Sequence, residues 1–388
     1  MSFEFSVPGK IVFGNGKLNE LSSQKLPGKS AIVVISNGKS AKTNGSLDRL
    51  MRQLDNAGVS AVIYDRIEAN PVLETIDAGG DLCRKYKCDF VVAMGGGSVI
   101  DSGKMITILA SNPGSIWDYV QTGTGGKKQI ENDPIPLVAI PTTAGTGSEA
   151  DFGASFTKEQ TNEKISVIDK RLFPALTIVD PELTYSLAAK FTAYQGWDAL
   201  THSMEYLLNK NQNLICDSLA KEAVKLCGEA LAEAVVSGTP ESREKMALAS
   251  CLSGIVIGHG GVTSQHALEC AVSAVYPKLA HGAGLIMLSK AYFKFFIDKH
   301  VCDEIFIEIA SLLGMKDASS PYDFITAIEQ LQHACGVDNL KMSDYGIKRS
   351  DFGGMIAASR VAMGCDFEVD RYTLTDEDCM EIMQNSYS

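Results

Sequence analysis

The 388-residue chain carries 35 Lys and Arg against 47 Asp and Glu, a formal net charge of −12, with 45% apolar and 21% charged residues. That length suits two domains at roughly 150 residues each, and the composition is that of a globular protein with a sizeable core. The acidic balance argues against a nucleic-acid partner, which needs a clustered excess of Lys and Arg, but backbone N–H groups and helix dipoles can still hold an anionic cofactor.

The ten cysteines include no Cys-x-x-Cys pair and read as reduced, mostly buried thiols, which suits the cytoplasm. The opening residues lack a basic region followed by an apolar one, so no secretory leader is expected. No apolar run approaches a membrane span, so no membrane partner is expected.

In chain order, residues 3–13 read as an added strand or hairpin ending at Gly14-Asn15-Gly16. Up to about residue 180, short β-rich runs at 31–36, 61–65, 90–94, 137–140 and 176–179 alternate with amphipathic stretches such as 47–57 and 73–86. Continuous apolar strands separated by helices imply a parallel sheet covered on both faces. The polar stretch 121–133 reads as a loop.

After Asp180-Pro181 only helical patterns follow: 191–208, 214–236, 243–257, 264–275, 283–298, 303–313, 320–334, 351–363 and 375–384. Thr375 with Asp378 forms a capping box at the start of the last. The expected architecture is an α/β dinucleotide-binding domain with a parallel sheet (1–180), then an all-α metal-binding domain (181–388), with a cleft between them.

The strand at 90–94 runs into Gly95-Gly96-Gly97-Ser98, and a helix follows over 99–110. A glycine turn at a helix N-terminus can cradle phosphate, because free N–H groups and the helix dipole supply positive potential. The run is not Gly-x-Gly-x-x-Gly, and alone it is equally a tight structural turn. A second polar turn, Pro141-Thr142-Thr143-Ala144-Gly145-Thr146-Gly147-Ser148-Glu149, also follows a strand. It too reads alone as a capped turn, but two such turns on one sheet favour a dinucleotide site.

In the helical half, Asp198 and His202 are spaced i,i+4 and share one helix face. His266 lies on a later helix, and His281 follows Pro277, whose turn permits a return toward the same point. One carboxylate and three imidazoles suit a divalent first-row metal such as iron or zinc. A lone helical histidine is more often a hydrogen-bonded core or surface residue, and His259, His300 and His333 are assigned that role. Glu205 and Glu269 read as supporting or solvated groups, and Phe152, Phe156 and Trp197 as pocket-wall candidates or core.

Taken together these residues resemble the iron-containing alcohol dehydrogenase family over nearly the whole chain. The resemblance rests on Pro8–Gly16, on 95–101 and 141–149, and on Asp180-Pro181-Glu182-Leu183-Thr184 followed by 196–205. It implies that Asp198, His202, His266 and His281 bind Fe2+ or Zn2+ and act in catalysis through it. It also implies that Gly95, Gly96, Gly97, Ser98 and Asp101 lie along the pyrophosphate and ribose, and that Thr142, Thr143 and Thr146 flank the nicotinamide. Asn70 and Lys164 are similar to further cofactor contacts.

Many relatives have a histidine four residues after the third ligand, where this chain has Cys270, a poorer proton carrier. After the first βα strand, where NAD-preferring relatives carry an acid, the chain has Asn37, Ser40 and Lys42, donors that suit the 2′-phosphate of NADP(H) over NAD(H).

The expected function is a metal-dependent NAD(P)-linked alcohol dehydrogenase or aldehyde reductase acting on a small alcohol or aldehyde. A dehydroquinate synthase-like lyase and a glycerol or hydroxyacid dehydrogenase are the alternatives. A homodimer is expected from the prevalence of twofold assemblies.

Overall fold

The computed structural model describes residues 2–388 and divides into Ser6–Leu187, and Ala188–Ser388 joined by the N-terminal residues up to Phe5. The break falls at Leu187, beyond residue 180, because Asp180 is tied into the first unit. Its carboxylate accepts from the Gly16 N–H at 2.9 Å and the Leu18 N–H at 3.0 Å, and it pairs with Arg49.

The first unit runs β1 (Lys10–Phe13), β2 (Ser30–Ser36), α1 (Ser40–Thr43), α2 (Ser46–Asn56), β3 (Ser60–Ile67), α3 (Leu73–Tyr86), β4 (Phe90–Gly95), α4 (Gly97–Ser111), β5 (Leu137–Pro141), β6 (Gly153–Lys158), β7 (Glu163–Ile168) and β8 (Leu176–Val179). Six strands form one sheet in the order β1-β8-β5-β4-β2-β3, and every neighbouring pair is parallel.

Successive side chains leave a strand on opposite faces, and here each face finds its own core. Ala31, Val33, Ile35, Val92, Met94, Val138 and Ile140 enter one apolar cluster, and Ile32, Val34, Val91, Ala93, Leu137 and Ala139 enter another. Each large aliphatic side chain so buried contributes about 1.5–3 kcal/mol. This two-sided burial is why the strands read as continuous apolar runs.

Two features depart from the sequence reading. Of residues 3–13 only β1 is a strand, and it pairs with β8 rather than folding into a hairpin. Pro8 has no N–H to extend a ladder, and the Gly9 backbone packs so tightly that a Cβ would lie 1.9 Å from the Pro174 carbonyl oxygen. The antiparallel hairpin β6–β7 was not anticipated, because its strands are short and joined by the charged, polar residues 159–162.

The second unit is helical: α5 (Ala189–Leu208), α6 (Leu214–Val236), α7 (Pro240–Gly260), α8 (Ser264–Val275), α9 (His281–Asp298), α10 (Asp303–Leu312), α11 (Tyr322–Ala334), α12 (Phe352–Glu368) and α13 (Asp376–Ser386). The capping box starts α13 as expected: the Asp378 N–H donates to the Thr375 hydroxyl at 3.1 Å, and the Thr375 N–H to the Asp378 carboxylate at 2.9 Å.

Helix α5 is buried almost continuously from Thr192 to Leu208, packed among α6, α7 and α9. A helix enclosed on all sides has no solvated face, so its polar residues need partners inside the protein. Among the described residues no single helix is long and apolar enough to cross a membrane. Helices α7 and α8 pass that test only as a pair, bent by 104°.

Candidate metal centre and cofactor edge

Three helices bring the four proposed ligands together. Asp198 and His202 lie one turn apart on α5, His266 is the third residue of α8, and His281 is the first of α9. The Asp198 Oδ1 atom is their common point, 3.5 Å from His202 Nε2 and 3.6 Å from both His266 Nε2 and His281 Nε2. The His202 and His266 rings stack with centroids 4.6 Å apart.

These separations are long for hydrogen bonds. They match instead the roughly 3.4 Å edge of a tetrahedron whose ligand bonds are about 2.1 Å. Asp198 Oδ1 and His266 Nε2 are buried and have no hydrogen-bond partner within the protein. An unpaired buried polar group costs about 1–3 kcal/mol, more if charged, so a cation between them answers a specific deficit. One carboxylate oxygen with imidazole nitrogens fits Fe2+ or Zn2+. The His281 side chain is the most open of the four, at 24% exposure against 2% for Asp198.

The electrostatics agree with this fit. Burial raises the Asp198 carboxyl, but the imidazoles of His202, His266 and His281 outweigh it and hold the group well below the usual carboxylate range. Burial lowers His266, but the carboxylates of Glu205 and Asp198 outweigh it and push the imidazole up to about 10. The centre therefore attracts positive charge, which a divalent ion supplies when the imidazoles bind in their neutral form.

Behind the ligands stand two carboxylates whose role the sequence left open. Glu205 accepts from His266 Nδ1 at 2.7 Å, and Glu269 is hydrogen-bonded to His281 Nδ1. Both are fully buried and so not solvated, and each is hydrogen-bonded to one of the proposed ligands. Each directs the Nε2 lone pair of its imidazole toward the centre. The signal was present in the spacing, since Glu205 lies two helical turns beyond Asp198 on the same helix. Cys270 is buried with its Sγ within 4.8 Å of ligand-type atoms of Glu269 and His281.

The remaining histidines lie elsewhere. His259 stacks on Phe5, with its Nδ1 2.7 Å from the Ile255 carbonyl, while His300 and His333 pair with Asp303 and Asp338. Trp197 is fully buried and donates to Ser289, and Phe156 packs edge-on against Trp117, so both are core. Phe152 packs against Phe173.

In the α/β unit, most proposed cofactor residues fall at the carboxyl ends of adjacent strands. Asn37, Ser40 and Lys42 follow β2, Asn70 follows β3, Gly95–Ser98 ends β4 and opens α4, and Thr142, Thr143 and Thr146 follow β5. After β2 the chain moves outward to β3 and then returns across β2 to β4. Ligands of such sheets bind at this reversal.

The two polar turns pack on each other. A Cβ on Gly96 would lie 3.2 Å from the Thr143 side chain, and one on Gly97 would lie 2.5 Å from Thr146 Cγ2. Glycine is needed there for close approach, and no side chain caps the start of α4.

Asp101 accepts from the Ser155 N–H at 2.9 Å and from the Ser148 hydroxyl. Burial, opposed by Lys104, raises its carboxyl to about 6. Lys104 is itself fully buried, ion-paired with Asp151 and bonded to the Gly153 carbonyl at 2.7 Å.

Lys42 pairs with Asp65 of β3 at 2.5 Å. Lys164 is not on the strand-end edge, because it lies in β7 opposite Thr157 of the hairpin.

Comparison with known proteins agrees with this architecture. The family profile described as iron-containing alcohol dehydrogenase matches residues 8–181, and the profile of that family's C-terminal domain matches residues 192–387. The 1,3-propanediol dehydrogenase of Klebsiella pneumoniae is 31% identical over 358 residues, covering 90% of each chain. The NAD-dependent methanol dehydrogenase of Bacillus methanolicus is 31% identical over 362 residues, covering 89% of this chain and 90% of its own. The crystal structure of an archaeal halo-thermophilic alcohol dehydrogenase from a Red Sea brine pool superimposes with a TM-score of 0.94 at 30% identity, over 100% of this chain and 99% of that one.

The chain belongs to the iron-containing alcohol dehydrogenase family. It is an NAD(P)-linked oxidoreductase that interconverts small alcohols and their carbonyl counterparts.

Proposed function

We propose that Asp198, His202, His266 and His281 hold the catalytic metal ion, Fe2+ in keeping with the family, with Zn2+ as an ion the same donors accept. The observation that carries this reading is the convergence of three imidazole Nε2 atoms at 3.5–3.6 Å on the unpartnered Oδ1 of Asp198. Bound there, the ion supplies Lewis acidity toward the substrate oxygen.

The protein's own contribution is orientation. Glu205 and Glu269 fix the tautomers of His266 and His281, and burial of Asp198 and His202 keeps water from competing for the donors. Hydride is carried by the nicotinamide, and the protein aligns that cofactor.

In this reading Gly95, Gly96, Gly97 and Ser98 receive the pyrophosphate at the uncapped start of α4, and Asp101 receives ribose hydroxyls. Thr142, Thr143 and Thr146 border the nicotinamide half, while Asn70 and Lys164 make outlying contacts. No acid directly follows β2. Asn37, Ser40 and Lys42 are donors there, which favours the 2′-phosphate of NADP(H), although that phosphate must draw Lys42 from Asp65. The ten free thiols, most of them buried, suit the reducing cytoplasm, and a homodimer is the proposed assembly.

The test of the cofactor reading is the ratio of kcat/KM for NADPH and NADH with a short aldehyde. A ratio above one, inverted in Asn37→Asp, supports it. A ratio below one that Asn37→Asp leaves unchanged refutes it.

A further inference from the structure

Helix α8 begins in an unusual way. Thr263 occupies its N-cap position, where a threonine hydroxyl ordinarily accepts an N–H from the first turn, yet it makes no such bond. The Thr263 hydroxyl donates instead to Glu205 Oε2 at 2.8 Å, and the Thr263 N–H donates to the same oxygen at 2.6 Å. The other oxygen of Glu205 accepts from His266 Nδ1 at 2.7 Å.

The network continues outward. The Tyr292 hydroxyl of α9 donates to Thr263 Oγ1 at 3.0 Å and lies 3.0 Å from Ser264 Oγ and 3.3 Å from Asp370 Oδ1. The Ser264 N–H points to that same Asp370 oxygen at 3.3 Å. Thr263, Ser264, Tyr292, Glu205 and Asp370 are all buried. Two carboxylates, from α5 and from the segment after α12, thus meet the N-terminus of α8, where the helix dipole favours negative charge. The helix they fix carries His266 three residues in.

We propose that Thr263 and Tyr292 are positioning residues for the metal ligand His266, acting through the Glu205 carboxylate. This rests on the metal reading above. Without the Thr263 hydroxyl, Glu205 keeps one donor fewer and can rotate. Without the Tyr292 hydroxyl, Thr263 loses the donor that turns its own proton toward Glu205. Either loss loosens the imidazole whose Nε2 faces Asp198. Hydrogen bonds linked in a buried network polarise one another, so a distant hydroxyl can matter at the ligand.

The experiment measures Zn2+ release from the holoenzyme to excess chromogenic chelator, together with the visible absorption of the Co2+-substituted protein. Thr263→Val and Tyr292→Phe remove one hydroxyl each at nearly constant shape. Each is expected to release Zn2+ about tenfold faster, as for other losses behind a metal ligand, and to shift the Co2+ bands. The double variant is expected to release no faster than Thr263→Val alone, since Tyr292 acts through Thr263. Ser359→Ala, which removes a buried hydroxyl of α12 bonded only to the Ile356 carbonyl, serves as the structural control and keeps the wild-type rate.

Wild-type release and unchanged Co2+ bands in both network variants, with cooperative melting intact, would overturn the proposal. So would additive effects in the double variant. If His266→Ala also retains Zn2+ like the wild type, the metal reading itself fails. Loss in His266→Ala without loss in Thr263→Val sinks only the positioning role.

Discussion

At the scale of single residues, charge compensation dominates the proposed metal centre. His281 is the most exposed of the four proposed ligands and is oriented by one buried carboxylate, Glu269. Glu269→Gln keeps the shape but replaces an anionic acceptor with a neutral amide. Metal affinity should fall about 10- to 100-fold, measured by competition with a chelator, and an unchanged affinity would remove Glu269 from the centre.

In the other unit the decisive residue is a glycine. A Cβ at Gly97 meets Thr146 Cγ2 at 2.5 Å, so Gly97→Ala should cost about 1–3 kcal/mol through overpacking and weaken cofactor binding. Thr146→Ser removes the offending methyl. The Cβ and hydroxyl oxygen of that side chain would still lie 2.8 Å from the new methyl, so the double variant should recover only part of the stability in a denaturant titration, and no recovery at all would mean that the turns do not pack as described.

Glu149 gives a pH signature. Burial is the main cause that raises its carboxyl to about 7, from an ordinary 4.5. Between those values the folded chain holds a proton that the unfolded chain has released. Stability therefore falls as pH rises through this window, and the full penalty is present above about pH 7. Glu149→Gln should flatten that decline in the denaturant midpoint between pH 5 and pH 7. An identical slope in the variant would assign the pH dependence to other groups.

At the scale of elements, the placement of α5 explains how a polar pair survives in a core. Gly196 lets Leu231 of α6 approach so closely that a Cβ there would lie 2.1 Å from Leu231 Cδ1. Gly196→Ala should push the helices apart, lowering stability by about 1–3 kcal/mol and displacing Asp198 two residues on. Leu231→Ala in the same chain should restore part of the loss. A Gly196→Ala protein with an unaltered melting temperature would contradict this packing.

The elements also show what a sequence can disclose. Strands β2, β4, β5 and β8 and helices α6 and α8 are legible because long apolar runs or strong periodicity coincide with burial on defined faces. The hairpin β6–β7 is not legible, since its packing against the core is tertiary and its turn is charged. For the centre, the i,i+4 spacing reveals Asp198 and His202, but the joining of His266 and His281 to them depends on the return of α8 and α9, which the Pro277 turn only permits and which family resemblance makes specific. Glu205 was visible by periodicity, but its role was not. A helix pattern marks a shared face and does not say which neighbour supplies the partner.

At the scale of the whole molecule, the proposed metal ligands lie in one unit and the proposed cofactor residues in the other, so the two units should respond to separate ligands. A metal bound only by the folded helical unit stabilises that unit by about 2.7 kcal/mol at a hundredfold excess over Kd, and a dinucleotide bound by the α/β unit does the same for its own. Removing the metal should therefore lower the helical transition seen by hydrogen exchange in α5, α8 and α9, while β2, β4 and β5 keep their protection. Uniform loss across both units would show that they unfold as one.

Metal-dependent nicotinamide turnover, with the metal stoichiometry measured alongside, is the most direct test of the proposed metal centre. Protein stripped of metal, then reloaded with Fe2+ or Zn2+, is assayed for NADPH and NADH oxidation with short aldehydes, next to the single variants Asp198→Ala, His202→Ala, His266→Ala and His281→Ala. The expected result is one ion per chain, activity restored only on reloading, and loss of both ion and activity in each variant. Full activity in the stripped protein, or variants that keep both the ion and turnover, would contradict it.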